Sequence, residues 1–182
     1  MEKKYKALAL DLDGTLMDSN KKLSDVNKKA VWEAIDVGTA VILASGRPMF
    51  GVLPVARMLE LDKRGGYVLA YNGGNILDCK TGKLVYERYV PKQCIEDICI
   101  AARECDVAPL TYYKDKVISE RADDEYVIKE AFCNSASIMQ VDNIPEFVDY
   151  PVSKVLVVGE HKKLLPVKEK LENKYSDILE LF

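Results

Sequence analysis

Three short apolar segments alternate with two helical patterns in the first 71 residues, and this alternation constrains the fold more than any other feature. The apolar segments are residues 6–10 (KALAL), 39–44 (TAVILA) and 67–71 (YVLAY), each of strand length. Between them, one helical pattern begins after Ser24 and the other runs from Pro48 to about residue 61. Strands that are apolar on both faces need cover on both faces. The alternation therefore predicts an α/β fold, with a parallel sheet and helices on both sides of it.

The second half of the chain has a different pattern. A hairpin is predicted over residues 76–90, with its turn at residues 80–83 (KTGK). The elements after it are typical of an α+β domain, with an antiparallel sheet and helices on one face. We therefore divide the chain into residues 1–88 and 89–182. The elements predicted in the second part are a helix from Pro91, strands at 110–113, 117–119, 137–141 and 153–158, helices at 124–133 and 162–175, and a strand that begins at residue 177.

Composition and charge exclude several classes of function. The chain has 26 Lys and Arg against 29 Asp and Glu, a net charge of −3, and no basic run, so it lacks the footprint of a nucleic-acid-binding protein. No apolar stretch is long enough to span a bilayer or to form the core of a signal peptide, which predicts a cytoplasmic protein without membrane contact. One histidine and five cysteines without a C-x-x-C pair do not form the pattern of a zinc site.

Two carboxylates follow the first apolar segment directly. Asp11 and Asp13 are two residues apart in residues 11–16 (DLDGTL), so a continued strand would point both side chains the same way. Ligands of parallel α/β sheets bind at the carboxyl ends of the strands. Two converging carboxylates recruit a hard cation or hold a proton between them. The alternative is a strand that ends in an ordinary solvated turn at Gly14.

Polar residues also follow the second and third apolar segments. Residues 45–48 (SGRP) place a hydroxyl, a glycine amide and an arginine at a predicted helix start, with Pro48 as the first helical residue. Asn72 opens residues 72–74 (NGG) after the third segment. Taken alone, residues 45–48 could be an ordinary helix cap, and residues 72–74 could be an ordinary turn. Because both motifs fall at the same edge as Asp11, they predict an anion site beside the carboxylates.

These motifs, in this order, resemble the haloacid dehalogenase superfamily of phosphohydrolases, and their spacing is similar to that of its Cof-type branch. The resemblance implies a parallel Rossmann-like core with an α+β cap domain, here residues 89–182, inserted after the third core strand. It also implies an Mg²⁺-dependent phosphatase that acts on small phosphorylated metabolites, such as sugar phosphates, through an aspartyl-phosphate. A phosphosugar mutase would use the same residues.

The resemblance assigns roles to the first motif. Asp11 would be the nucleophile and Asp13 the general acid and then the general base. The Asp11 carboxylate and the Asp13 backbone carbonyl would hold Mg²⁺, and Thr15 would steady the loop.

The other two motifs would bind the substrate. Ser45 would hydrogen-bond the phosphate, helped by the Gly46 amide. Arg47 and Asn72 would contact phosphate or substrate.

Two parts of the family pattern are absent from this sequence. The family has a lysine after the cap and then a Gly-Asp-x-x-Asn-Asp type motif, and neither occurs here; Lys154 precedes a predicted cap strand. The chain therefore resembles a truncated form with an incomplete core, an incomplete cap and little activity. Its strand at residues 6–10 would be an exposed sheet edge through which a homo-oligomer could form.

Two further classes of protein fit this sequence less well than a phosphatase does. A phospho-accepting signalling receiver would carry its acceptor aspartate after the third strand, where Asn72 stands. A dinucleotide-binding domain would need G-x-G-x-x-G after the first strand. A non-catalytic remnant that binds phosphate or a partner stays open as the alternative.

Overall fold

The computed structural model describes residues 5–182, which fall into two compact units, Met1–Arg88 and Tyr89–Phe182. No helix in this described range is long and apolar enough to cross a membrane.

The first unit is built on a five-stranded sheet in the order β1-β2-β3-β4-β5. Strands β1, β2 and β3 are parallel, as their apolar sequences predict, and β3, β4 and β5 continue as an antiparallel meander. The elements are β1 (Ala7–Asp11), α1 (Asp25–Asp36), β2 (Ala40–Ala44), α2 (Met49–Met58), α3 (Leu61–Arg64), β3 (Tyr67–Ala70), a 3₁₀ turn (Tyr71–Gly73), β4 (Asn75–Asp78) and β5 (Lys83–Glu87).

Local signals explain where the helices of this unit begin and end. The Ser24 hydroxyl accepts a hydrogen bond from the Asn27 N–H at 3.1 Å and so caps α1. The single helix predicted up to about residue 61 is instead two helices, because Glu60 adopts a left-handed conformation, φ 57°, between α2 and α3. Pro48 is the cap residue of α2 and not its first helical residue, with an extended ψ of 157°.

The core of the first unit lies between the central strands and the helices. Val41, Leu43 and Val68 from β2 and β3 are fully buried together with Val52 of α2. At the side of the sheet, β1 pairs only with β2 among the described residues, so one backbone edge of β1 is open. This is the edge that the sequence predicts to be exposed, and pairing through it in an oligomer stays a prediction.

The second unit has a four-stranded sheet in the order β8-β7-β6-β9. Strand β6 pairs with β7 and β9 in antiparallel fashion, but β7 and β8 are parallel, so the prediction of an antiparallel sheet is wrong for this pair. The elements are α4 (Lys92–Glu104), β6 (Ala108–Tyr113), β7 (Lys116–Ser119), α5 (Glu125–Asn134), β8 (Ser137–Gln140), α6 (Ile144–Phe147), β9 (Leu156–Val158) and α7 (His161–Tyr175).

The helices of the second unit do not all lie on one face of its sheet. The Tyr112 hydroxyl bonds Glu130 of α5 at 2.8 Å, whereas the neighbouring Tyr113 ring packs on Phe147 of α6. Because adjacent residues of a strand point to opposite faces, α5 and α6 cover opposite faces, and the one-face prediction is wrong for α5. Residues 177–182 form no strand, also against prediction, and the side chain of Leu179 instead packs beside α7.

Candidate functional site

A compact turn after β1 presents both predicted carboxylates to solvent. Leu12 is fully buried between exposed Asp11 and Asp13, which continues the strand alternation past the end of β1. Gly14 has φ 76°, a left-handed conformation that favours glycine, and its N–H donates to the Met17 carbonyl at 3.1 Å. The turn therefore fixes the backbone from which the two carboxylates project.

The register of the parallel strands brings the three motifs to one edge. Asp11 of β1 pairs with Ala44 of β2, and Ala44 pairs with Leu69 of β3. The residues that follow these positions leave the sheet side by side. The Ser45 N–H, one residue beyond β2, donates to the Leu69 carbonyl at 2.9 Å.

Arg47 binds the second carboxylate directly. Its Nε donates to Asp13 Oδ2 at 2.9 Å and its Nη2 donates to Asp13 Oδ1 at 2.5 Å, a two-point contact. The Arg47 side chain is 13% exposed and the Asp13 side chain 51% exposed. Arg47 was predicted as a contact of phosphate or substrate; the structure places its guanidinium on Asp13, and a contact with substrate stays a prediction.

Ser45, which was predicted to bind phosphate, lies in the loop directly after β2. It is buried, and its Oγ accepts the Arg47 N–H at 3.2 Å. Ser119, in the second unit, makes the same turn with the Arg121 N–H, but its hydroxyl donates to the Pro109 carbonyl at 2.9 Å. No such acceptor serves the Ser45 hydroxyl among the described residues, so its proton is available for an anion.

The turn after β3 holds the Ser45 loop in place. Tyr71 and Asn72 both have left-handed conformations, φ 53° and 55°, which cost energy in residues with a β-carbon. The Tyr71 N–H donates to the Arg47 carbonyl at 2.9 Å, and the Asn72 N–H donates to the Ser45 carbonyl at 3.2 Å. The Asn72 side chain lies so close to Gly46 that a β-carbon there would be 3.0 Å from Asn72 Oδ1. Residues 45–47 and 71–72 are therefore one assembly.

Tyr71 lies at the same edge of the sheet, and the sequence did not predict a role for it there. Burial raises the pKa of its hydroxyl, and a hydrogen bond with the Met49 backbone partly opposes that shift. Met49 is the first residue of α2, so Tyr71 connects β3 to the start of this helix. Its position directly before Asn72, at the same sheet edge, is the signal that could have identified it.

Thr15 lies exposed in the turn after β1. Its role in steadying this loop stays a prediction.

The residues after β1 fit part of a magnesium site. Within the turn, the carbonyls of Asp11, Leu12 and Met17 accept backbone hydrogen bonds. The Asp13 carbonyl is not among these acceptors. The exposed Asp11 carboxylate and this carbonyl are oxygen ligands of the kind that Mg²⁺ takes, alongside substrate phosphate and water. Within residues 5–182, no cluster of three or more His, Cys, Asp or Glu side chains is placed to hold a metal.

Comparison with known proteins decides the family. Residues 8–182 match the model of the haloacid dehalogenase-like hydrolases. The chain belongs to this family. The match confirms the resemblance drawn from residues 11–16, 45–48 and 72–73.

Relatives in this family include phosphatases and a solved structure of the same fold. A haloacid dehalogenase-like hydrolase from Bacteroides thetaiotaomicron is 37% identical with a TM-score of 0.85, over 93% of this chain and 64% of that one. The putative phosphatase YxeH of Bacillus subtilis is 24% identical over 88% of this chain and 60% of its own length. An HMP-PP phosphatase of Yersinia pseudotuberculosis is 23% identical over 94% of this chain and 61% of its own length. The chain thus spans less than two thirds of each of these relatives.

Proposed function

We propose that residues 1–88 carry part of the active site of a phosphatase, and that residues 89–182 are its cap. The phosphatase acts on monoesters of small phosphorylated metabolites. The observation that carries the proposal is the shared sheet edge, where Asp11 and Asp13 stand beside a Ser45 hydroxyl whose proton is free to bind an anion. The names of YxeH and of the HMP-PP phosphatase support a phosphatase reaction, and the second name supports a small substrate.

In the first step, an Asp11 carboxylate oxygen attacks phosphorus and the bond from phosphorus to the ester oxygen breaks. Asp13, in its protonated form, gives its proton to the departing oxygen, so that a neutral alcohol leaves. An aspartyl-phosphate remains on Asp11. The Ser45 hydroxyl donates to a phosphoryl oxygen and holds it as negative charge moves during transfer.

In the second step, water attacks the phosphorus of the aspartyl-phosphate. Asp13, now a carboxylate, takes a proton from that water, and inorganic phosphate leaves as the Asp11 carboxylate is restored. Mg²⁺ bound by the Asp11 carboxylate and the Asp13 carbonyl would supply positive charge beside the phosphoryl oxygens.

The test uses a mimic of the phosphorylated aspartate, because it gives a signal even where turnover is slow. Fluoroberyllate binding to the 182-residue chain is followed by ¹⁹F NMR with and without Mg²⁺, alongside hydrolysis of p-nitrophenyl phosphate and a panel of sugar phosphates. We expect Mg²⁺-dependent binding that Asp11→Asn abolishes, because an amide is a poor nucleophile and a poor metal ligand. Asp13→Asn should spare binding more than hydrolysis, since the backbone carbonyl remains. Equal fluoroberyllate binding by wild type and Asp11→Asn would contradict the nucleophile assignment.

The alternative is a non-catalytic protein that binds phosphate. It is favoured by the absence from this sequence of both the lysine that follows the cap in the family and a Gly-Asp-x-x-Asn-Asp type motif. For the same reason we expect the 182-residue chain to hydrolyse phosphoesters at or near background and to bind Mg²⁺ weakly, since a missing electrostatic group costs about 10²–10³ in rate. Phosphate binding without an Asp11-dependent fluoroberyllate complex would favour the alternative.

A further inference from the structure

The two-point contact between Arg47 and Asp13 connects the motif after β2 to the motif after β1. We propose that Arg47 is a positioning residue for Asp13 and not a ligand of the substrate phosphate. This inference rests on the proposed function, because it concerns the group that would move the proton.

The Arg47 guanidinium projects from a fixed base. The residue's N–H donates to Ser45 Oγ at 3.2 Å and its carbonyl accepts the Tyr71 N–H at 2.9 Å. Its side chain is 13% exposed, so most of the stem is packed and few rotamers are open to it. The left-handed turn at Tyr71 thus fixes Arg47 through the backbone.

The contact matters for Asp13 because half of its side chain is exposed to solvent. Its side chain is 51% exposed and lies in the turn that follows β1. The bonds from Nε and Nη2 engage both of its oxygens at once, which fixes the plane of the carboxylate as well as its position. A general acid or base must lie within hydrogen-bond reach of the proton that it moves, so this constraint bears directly on its task.

The same contact argues against Arg47 as a phosphate ligand. Guanidinium groups grip phosphate through two parallel N–H bonds. In Arg47 the pair formed by Nε and Nη2 already faces Asp13, so gripping phosphate with that pair would require release of the carboxylate.

A double-mutant cycle on the affinity for inorganic phosphate, measured by calorimetry with Mg²⁺ present, separates the two roles. Wild type is compared with Arg47→Met, Asp13→Asn and the double variant. If Arg47 acts through Asp13, Arg47→Met alone weakens binding because it exposes the Asp13 charge, and the double variant binds within about threefold of Asp13→Asn. If Arg47 grips phosphate, the double variant binds at least about 10-fold more weakly than Asp13→Asn, which overturns the proposal.

The second unit offers a matched control for this cycle. Arg103 makes the same contact with Glu120, from Nε at 2.8 Å and from Nη2 at 2.6 Å. Arg103→Met therefore removes an equivalent pair from the other unit, and it should leave phosphate affinity within about threefold of wild type. Arg47→Lys keeps the positive charge but cannot make the two-point contact, so its phosphate affinity should lie between those of wild type and Arg47→Met.

Arginine Nε–H resonances in ¹⁵N NMR spectra test the contact without phosphate. We expect a protected Arg47 Nε–H signal in wild type and in Asp11→Asn, and its loss in Asp13→Asn. An Arg47 signal that is unchanged by Asp13→Asn would show that the pair does not form in solution and would overturn the proposal. A wild type that binds no phosphate would count against the proposed function alone, and the NMR result would then decide the role of Arg47.

Discussion

Replacing Ser45 with alanine should separate phosphate binding from fold stability. In the folded chain, Ser45→Ala removes the acceptor of the Arg47 N–H, a 3.2 Å bond at a buried position. A neutral hydrogen bond of this kind contributes about 1 kcal/mol to the free energy of unfolding. The bond that the hydroxyl would donate to a phosphate is charge-assisted and contributes about 1.5–3 kcal/mol. Phosphate affinity should therefore fall about 10- to 150-fold.

Ser119→Ala is the matched control for this experiment. Ser119 is fully buried and accepts the Arg121 N–H at 3.2 Å, the same bond that Ser45 makes. Its hydroxyl proton goes to the Pro109 carbonyl, so its loss should lower stability at least as much. Calorimetric titration with inorganic phosphate and urea unfolding are measured on both variants. Phosphate affinity of Ser45→Ala within threefold of wild type would refute the assignment of its proton to the ligand.

Two further predictions concern the second unit. Gly159→Ala should lower the free energy of unfolding, measured in urea, by about 1–3 kcal/mol. The reason is that the new β-carbon would lie 2.6 Å from Cγ1 of buried Val107. Unchanged stability would show that the Val107 side chain can move away without cost. Lys163 and Arg121 lower the pKa of Asp106 from 3.8 to about 2, so their stabilisation is complete above about pH 4 and is lost as the pH falls through 2. Unfolding measured between pH 5 and 2 should show a smaller decline in Asp106→Asn than in wild type, and equal declines would contradict this reading.

The parallel half of the sheet was predictable because an uninterrupted apolar strand pattern favours one arrangement, a parallel sheet covered by helices on both faces. Residues 39–44 are apolar without alternation, which requires cover on both faces and hence crossover helices. Once the strands are parallel, their carboxyl ends share an edge, and Asp11 and Ser45 come together whatever the details of the loops. Topology therefore determined which residues meet.

The partner of each side chain was not predictable in the same way. Arg47 has a long, flexible side chain, and its choice between phosphate and Asp13 depends on distances that only the folded loops set. Tyr71 continues an apolar strand pattern, and aromatic residues in such patterns are commonly core residues. A tyrosine does not predict a left-handed backbone conformation, because its β-carbon disfavours that conformation.

In the second unit, the residue pattern does not determine the strand arrangement, because it is compatible with more than one. Residues 117–119 and 137–140 are short strands separated by a helix, and that spacing permits a parallel crossover as well as an antiparallel return. Residues 177–182 contain isoleucine, leucine and phenylalanine at intervals that suit a strand, yet the Ile178 and Leu179 N–H groups both donate to the Tyr175 carbonyl. A turn at the end of α7 thus competes with strand formation there.

The start of α2 contributes less to anion binding than its place in the sequence suggests. Helix N-termini attract anions through free N–H groups, and residues 45–48 lead directly into this helix. However, Pro48 has no N–H to offer, and the Met49 backbone is engaged with the Tyr71 hydroxyl. The donor that remains for an anion at this edge is therefore the Ser45 hydroxyl, which has no acceptor among the described residues. Because Tyr71 and Asn72 hold residues 45–47 through backbone hydrogen bonds, we expect anion binding at this edge to depend on the turn after β3 as well as on the loop after β2.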